Sequence, residues 1–266
     1  MEHIAPLPAT CVSFQGKPRA AIMRDVAVEA PVAFEINGLA YAVMMASPSD
    51  LEDYAIGFAL SEGLAQNKGA ITQLDVAEIE QGLIIRMMIP DLAGDLQERI
   101  RLRLNEGSCG LCGLRSIEEV LRPLPALRPA ARIAPDAIHR AVSALADHQP
   151  MGQATGAMHA AAFCDVEGQI LLTREDVGRH NALDKLIGAL AADGIDFSQG
   201  SVLVTSRASY EMVQKTAAMG IGLLAAISAP TSFAVQLAET VGQTVVGFMR
   251  DPSYVIYAHP ERLNEE

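Results

Sequence analysis

The first third of the chain carries short apolar stretches separated by turn residues. Val32-Ala33-Phe34-Glu35-Ile36 and Leu39 to Met45 flank Asn37-Gly38, which predicts a β-hairpin closed by a type I′ turn. Ser49-Asp50-Leu51-Glu52 is a capping box that opens a helix running to about Glu62, with Gly63 at the C′ position. Ile71 to Glu80 and Leu83 to Ile89 predict two more strands joined at Gln81-Gly82, and Asp91 to Leu104 a helix. A shorter helix follows at about Ser116–Arg122. Prolines at 123, 125, 129 and 135 then stop helical structure, and the segment is expected to be an extended linker.

Beyond Pro135 the pattern alternates. A helix is predicted over Asp136–Asp147, and strands over Ala160–Asp165, Gln169–Thr173, Ser201–Thr205, Leu223–Ser228, Gln243–Met249 and Tyr254–Tyr257. Helices fall between them at Arg179–Ala192, Ser209–Met219 and Ser232–Val241. Such alternation implies an open, mostly parallel sheet with helices on both faces. Asp165-Val166-Glu167-Gly168 is expected to be a hairpin turn, making the first strand pair antiparallel. The organisation is therefore an N-terminal α+β domain over 1–122, a proline-rich linker over 123–135 and an α/β domain over 136–266. No internal repeat or coiled-coil heptad is present.

Ligands of open α/β sheets bind beyond the carboxyl ends of the strands. Those junctions are Arg174 to Asn181, Ser206-Arg207-Ala208-Ser209, Ala229-Pro230-Thr231-Ser232 and Arg250-Asp251-Pro252-Ser253. All are polar and three carry arginine, whose planar fork suits phosphate beside helix N-termini. A rim that binds a phosphorylated ligand follows. Leu183, Leu186, Ile187 and Leu190 form a helical stripe toward the sheet, and Arg179 and His180 extend it to the rim. His180 and His159 each suit either a ligand role or a capping role at the edge of the core.

Composition narrows the classes. Half of the 266 residues are hydrophobic, enough for a substantial core. No apolar run reaches a membrane-span length, and the start lacks a basic region followed by an apolar one, so a cytoplasmic protein is expected. The net charge of −12 argues against general nucleic-acid binding but leaves room for one nucleotide in a local basic pocket. Trp is absent and aromatics are 5%, so base-stacking platforms are expected to be scarce. The acids are expected on solvated helices, with no catalytic carboxylate pair. Dinucleotide, P-loop, zincin and nucleophile-elbow motifs are all missing. The Met44-Met45 and Met87-Met88 pairs are expected to fill the core.

The most chemically distinctive stretch is Gly107-Ser108-Cys109-Gly110-Leu111-Cys112-Gly113. Its glycines permit tight turns and close approach to the sulfurs, and C-x-x-C spacing commonly lowers one thiol's pKa. A zinc site needs a second ligand pair, whereas Cys11 and Cys164 are isolated and no two histidines have ligand spacing. A mixed site from distant ligands stays open. A structural disulfide does not suit a reducing compartment, and a thioredoxin-like motif belongs at a helix start after a buried strand. A reactive dithiol on a mobile loop fits best.

The chain resembles the FdhD family of formate dehydrogenase accessory sulfurtransferases. The resemblance rests on Ser108 to Gly113, Thr155-Gly156-Ala157-Met158-His159-Ala160-Ala161, Arg174 to Lys185, Ser206 to Lys215 and Gly247-Phe248-Met249-Arg250. It implies a cytidine deaminase-like three-layer α/β domain behind a smaller N-terminal α+β domain, and a homodimer. It also implies a sulfur relay: a cysteine desulfurase loads persulfide onto the C-x-x-C loop. The sulfur then passes to the molybdenum of a bis-molybdopterin guanine dinucleotide cofactor, a bound substrate destined for formate dehydrogenase. Cys109 matches the persulfide-carrying position, with Cys112 as its neighbour. Phe248, Met249, Arg250, Asp251, Pro252 and Ser253 match a cofactor-binding segment, and Arg179, His180, Ser206 and Arg207 complete the expected guanine nucleotide site on the rim. No resident metal is expected. Zinc deaminase chemistry is not, because His159 is followed by Ala160-Ala161 rather than the required glutamate. The alternative function is a non-catalytic cofactor chaperone whose cysteines act as a redox or docking latch.

Overall fold

The computed structural model describes residues 2–16, 18–92, 96–104, 124–127, 131–250 and 253–263. It opens with an antiparallel ribbon, β1 (Ile4–Cys11) paired with β2 (Ala20–Ala27), whose side chains are mostly exposed. The sequence pattern did not foretell this ribbon, because it carries no alternation tied to the core. The predicted hairpin is present as β3 (Ala30–Ile36) and β4 (Leu39–Ala46). Asn37 and Gly38 both take positive φ, 51° and 78°, as a type I′ turn requires. With β5 (Gln73–Ile79) and β6 (Gly82–Met88) they form a four-stranded sheet in the order β4-β3-β6-β5.

Helix α1 (Leu51–Ser61) lies on this sheet, where Phe58 stacks on Phe34 at 4.2 Å between ring centroids and Tyr54 meets it edge-on. The predicted capping box does not form. Asp50 at the N-cap sits at φ 50° without a side-chain cap, and the Ser49 hydroxyl accepts from Lys185 Nζ instead. A buried ammonium outcompetes a backbone N–H for that oxygen. Gly63 takes the expected left-handed conformation after the helix. Of the methionine pairs, Met87 is buried while Met45 and Met88 are exposed, because adjacent residues of a strand face opposite ways. Helix α2 (Leu96–Leu104) starts later than predicted, with Asp91 in a turn before it. The predicted helix at 116–122 lies outside the described residues.

The second sheet has six strands in the order β12-β11-β10-β9-β7-β8. These are β7 (His159–Cys164), β8 (Ile170–Asp176), β9 (Ser201–Val204), β10 (Leu223–Ala226), β11 (Thr244–Arg250) and β12 (Ser253–Ala258). The expectation of a mostly parallel ladder needs correction. Only β9–β10 and β10–β11 are parallel pairs, while β7 lies antiparallel between β8 and β9, and β12 antiparallel at the edge. The β7–β8 hairpin enters the sheet as a unit, and β7 has its other edge free to pair with β9. Strands β8 to β11 consequently all run the same way.

Helix α3 (Pro135–Ala144) packs on one face of this sheet through Ala137, Ile138 and Ala141. The short α4 (Pro150–Thr155) follows it. On the other face lie α5 (Arg179–Asp193), α6 (Tyr210–Ala218) and α7 (Ser232–Val241), with Leu183, Leu186, Ile187 and Leu190 of the predicted stripe fully buried. This is the three-layer α/β arrangement the resemblance implied.

One hydrophobic core joins the two sheets across the proline-rich segment, from Phe34 and Tyr54 to Leu186 and Val204. Its centre is the crossing of α1 and α5, where Gly57 and Gly188 meet backbone to backbone. A Cβ on Gly57 would fall 1.7 Å from the Asp184 carbonyl oxygen, and one on Gly188 1.8 Å from that of Asp53.

Charged residues flank this crossing, contrary to the expectation that acids sit on solvated helices. Asp176 and Lys185 form a fully buried ion pair at 2.7 Å. Asp176 also accepts from the Ser47 and Gly178 amides and from Asn181, while Lys185 donates to the Ser47 carbonyl. At the other side Lys215 Nζ donates to both Asp184 oxygens, to Ser61 and to Glu62. Burial pushes Asp184 up, and Lys215 and Ser61 pull it back. Lys215 also loses hydration, yet Asp184 and Glu62 together hold its pKa above the ordinary lysine value, so the ammonium is charged. Buried charges persist only when paired in this way. Much of the Arg174–Lys185 block is thus a fastening between the N-terminal layer and the larger sheet.

Among the described residues, no helix is long and apolar enough to cross a membrane.

Candidate cofactor-binding rim

Because β8, β9, β10 and β11 are co-directional, their carboxyl ends open on one edge, and the amino ends of the antiparallel β7 and β12 join them there. The segments beyond the central strands are stitched side by side. Ala208 bridges Pro230, the Thr231 amide donates to the Ala208 carbonyl, and the Phe248 amide donates to the Ser228 carbonyl. Gly247 is required in this seam, since a Cβ there would lie 2.9 Å from Pro230 Cδ and 3.0 Å from the Ser228 oxygen.

The expected site residues divide into groups. Cys109, Cys112, Asp251 and Pro252 lie outside the described residues. Phe248 sits at φ 51° in an irregular part of the β11–β12 ladder and is 41% exposed. A bulky residue at positive φ is strained, and here the strain turns an aromatic ring outward at the rim. Met249 is buried in the core beneath the sheet, so only its backbone belongs to this edge. Arg250 is the last residue of β11 rather than a loop residue, and its backbone pairs with the exposed Ser253 of β12. Ser206 is buried and donates to the Arg207 carbonyl, while Arg207 is exposed.

Arg179 and His180 open α5 behind Gly178, which offers no side-chain cap. The preceding strand is longer than predicted. Arg174, Glu175 and Asp176 belong to β8, where Arg174 reaches Asp53 and Glu175 accepts from the Met151 and Gly152 amides. Burial raises the Glu175 pKa, with those amides opposing it. None of the three is free for a ligand.

Around Arg179 and His180 the fold gathers residues that spacing alone did not assign. His159 starts β7 opposite Asp176. Burial, then the nearby Arg179 and His180 charges, lower its pKa, with Asp176 opposing. Glu211, in the first turn of α6, brings Oε2 to 2.7 Å from His180 Nε2, and its own pKa is lowered chiefly by that contact. The approach is close but misaligned, leaving Nε2 without a well-directed hydrogen bond among the described residues. Arg179 Nε and Ser209 Oγ are buried and unpartnered among the described residues too.

Aromatic side chains are few, and some of them lie at this rim. Tyr210, at the start of α6, stacks on Phe233, at the start of α7, with centroids 4.5 Å apart and rings 15° from parallel. Phe233 is 44% exposed, so an aromatic ring reaches solvent at the rim despite the low aromatic content. A signal was available: both aromatics stand in the opening turn of a helix that follows a central strand. Basic groups at one part of the rim and exposed rings at another suit a ligand carrying phosphate and a planar base.

Comparisons with known proteins agree with this architecture. The profile of the FdhD/NarQ family matches residues 27–264. The sulfur carrier protein FdhD of Xanthomonas campestris pv. campestris (strain B100) is 51% identical over 248 residues, spanning 92% of this chain and 88% of that protein. Its namesake from Cupriavidus necator is 49% identical over 243 residues, covering 91% and 84%. A crystal structure from Desulfotalea psychrophila, of a protein described as a formate dehydrogenase accessory protein, superposes with a TM-score of 0.80. It covers 99% of this chain and 100% of that one at 23% identity, a likeness of fold.

Proposed function

The chain belongs to the FdhD/NarQ family, and from that premise we propose that it is a sulfur carrier serving formate dehydrogenase. In this reading Cys109 attacks the terminal sulfur of a cysteine desulfurase persulfide. The desulfurase thiolate leaves, and Cys109 holds the persulfide. Attack by Cys112 on the inner sulfur then closes a Cys109–Cys112 disulfide and expels the terminal sulfur as sulfide, the two electrons coming from the dithiol. The acceptor is the molybdenum of a bis-molybdopterin guanine dinucleotide substrate lying along the rim, and a dithiol reductant resets the pair. A homodimer is the proposed working unit.

The observation that carries the rim's part is the placement of Arg179, His180, Arg207 and the exposed Phe248 and Phe233 along one edge, at the ends of co-directional strands. A dianionic phosphate needs cations and helix N-termini, and a guanine needs a flat apolar face. Both are supplied at one edge.

The test is mass spectrometry of the peptide containing Cys109 after incubation with a desulfurase and free cysteine. A gain of one sulfur atom, lost in Cys109→Ala, is expected. Cys112→Ala should load normally and release poorly. An unmodified Cys109, with cofactor binding intact, would leave the chaperone alternative standing and overturn the relay.

A further inference from the structure

Glu211 occupies a place where a ligand's anion belongs. Three basic side chains converge on the rim where β7, β8 and α5 meet: His159, Arg179 and His180. Among the described residues, the negative group facing them from α6 is Glu211, and Asp176 facing His159 from β8 is fully committed to Lys185, Asn181 and backbone amides. The Glu211 side chain is 55% exposed, against 27% for His180, so it reaches in from solvent. Its contact pairs one carboxylate oxygen with His180 Nε2, off the best hydrogen-bond line, and leaves Arg179 Nε and Ser209 Oγ unsatisfied. Buried polar groups left unpaired in this way are costly. An oxyanion with several oxygens could satisfy donors that one carboxylate cannot.

We propose that His159, Arg179, His180 and Ser209 form a subsite for the diphosphate of the nucleotide, and that Glu211 is a displaceable internal anion filling it when the nucleotide is absent. This rests on the reading of the rim as a nucleotide site and deepens it by dividing the ligand. The phosphates lie at the α5–α6 end and the base lies elsewhere along the edge. Nucleotide binding must then expel the Glu211 carboxylate to solvent, and its exposure makes that movement cheap. Glu211 tunes affinity downward, which favours release of a cofactor that has to be handed on.

Titration calorimetry on the full-length protein with GDP, guanosine and inorganic pyrophosphate tests this. Wild type should bind GDP more tightly than guanosine and should also take pyrophosphate. Arg179→Ala should weaken GDP and pyrophosphate about 10- to 100-fold, as expected for a charged hydrogen bond, and leave guanosine unchanged. Glu211→Gln should tighten GDP and pyrophosphate several-fold. That gain cannot come from misfolding, so it guards against a destabilised Arg179 variant. Equal affinity of wild type for guanosine and GDP, or unchanged GDP binding in both variants, would overturn the subsite while leaving the rim as a base-binding site. A wild type that binds none of the three would overturn both.

Discussion

Gly188→Ala should destabilise the protein, although helix propensity alone gives the opposite sign. In an isolated helix the change would gain about 1 kcal/mol. Here the new methyl would lie 1.8 Å from the Asp53 carbonyl oxygen and 2.8 Å from the Gly57 amide nitrogen. Both are backbone atoms of α1 that cannot rotate away. Reaching normal van der Waals separation requires the two helices to part by about 1.6 Å. Overpacking of this kind costs about 1–3 kcal/mol. The separation also strains two hydrogen bonds across the crossing, Tyr54 to Asn181 and Ser61 to Asp184, each 2.7 Å and each contributing about 1 kcal/mol. The net expectation is a loss of about 2–4 kcal/mol. Urea unfolding followed by circular dichroism measures it, with the midpoint falling and the slope preserved. Because α5 carries Arg179 and His180 at its far end, nucleotide affinity should fall as well. A variant as stable as wild type, or more so, would refute the backbone contact between α1 and α5.

Three other perturbations probe the remaining claims. Lys215→Met should cost about 3–5 kcal/mol, because it strands the buried Asp184 carboxylate, and adding Asp184→Leu should restore a large part of the loss. His159 should titrate below its ordinary value by NMR, and Arg179→Ala should move the midpoint back up. Its folded-state pKa lies below the unfolded one, so its contribution to stability is present above about pH 6.5. That contribution is lost as the pH falls through the folded-state pKa, and a His159→Gln variant showing the same acid sensitivity would contradict this. In a Cys109→Ser, Cys112→Ser background, an alkylating reagent at neutral pH should modify the exposed Cys11 and spare Cys164 until the protein unfolds. Burial pushes the Cys164 thiol up to about 12.

Local chemistry made much of the chain legible in advance. The Asn37-Gly38 turn, the stop at Gly63, the Leu183–Leu190 stripe and the strand starting at Leu223 each depend on φ preferences or hydrophobic period within a few residues. The rim was legible for the same reason: strand ends and helix starts can be located one by one, and co-direction of β8 to β11 brings them together. Within the rim, Arg179, His180, Ser206 and Arg207 are all found there. His159, Glu211 and the Tyr210–Phe233 pair come to this rim only because α6 and β7 are set beside α5.

What tertiary structure alone decided lies in contacts between residues far apart in the chain. Asp176, Asp184, Lys185 and Lys215 have the composition of a solvated surface. Their partners Ser47, Ser61 and Glu62 lie in the N-terminal part of the chain, and no local period marks the pairing. The meeting of Gly57 and Gly188 is equally silent, because a glycine inside a helix reads locally as a weakness and not as a site of close approach. Strand β7 runs antiparallel to β8 as expected, but its place between β8 and β9 was not legible, since the choice of neighbour depends on which edge the β7–β8 hairpin leaves open. Period and propensity act over a few residues, so the sequence by itself determined most of the elements and the polarity of their ends. Which charges could be buried, and which helices could touch, followed only once those elements had packed.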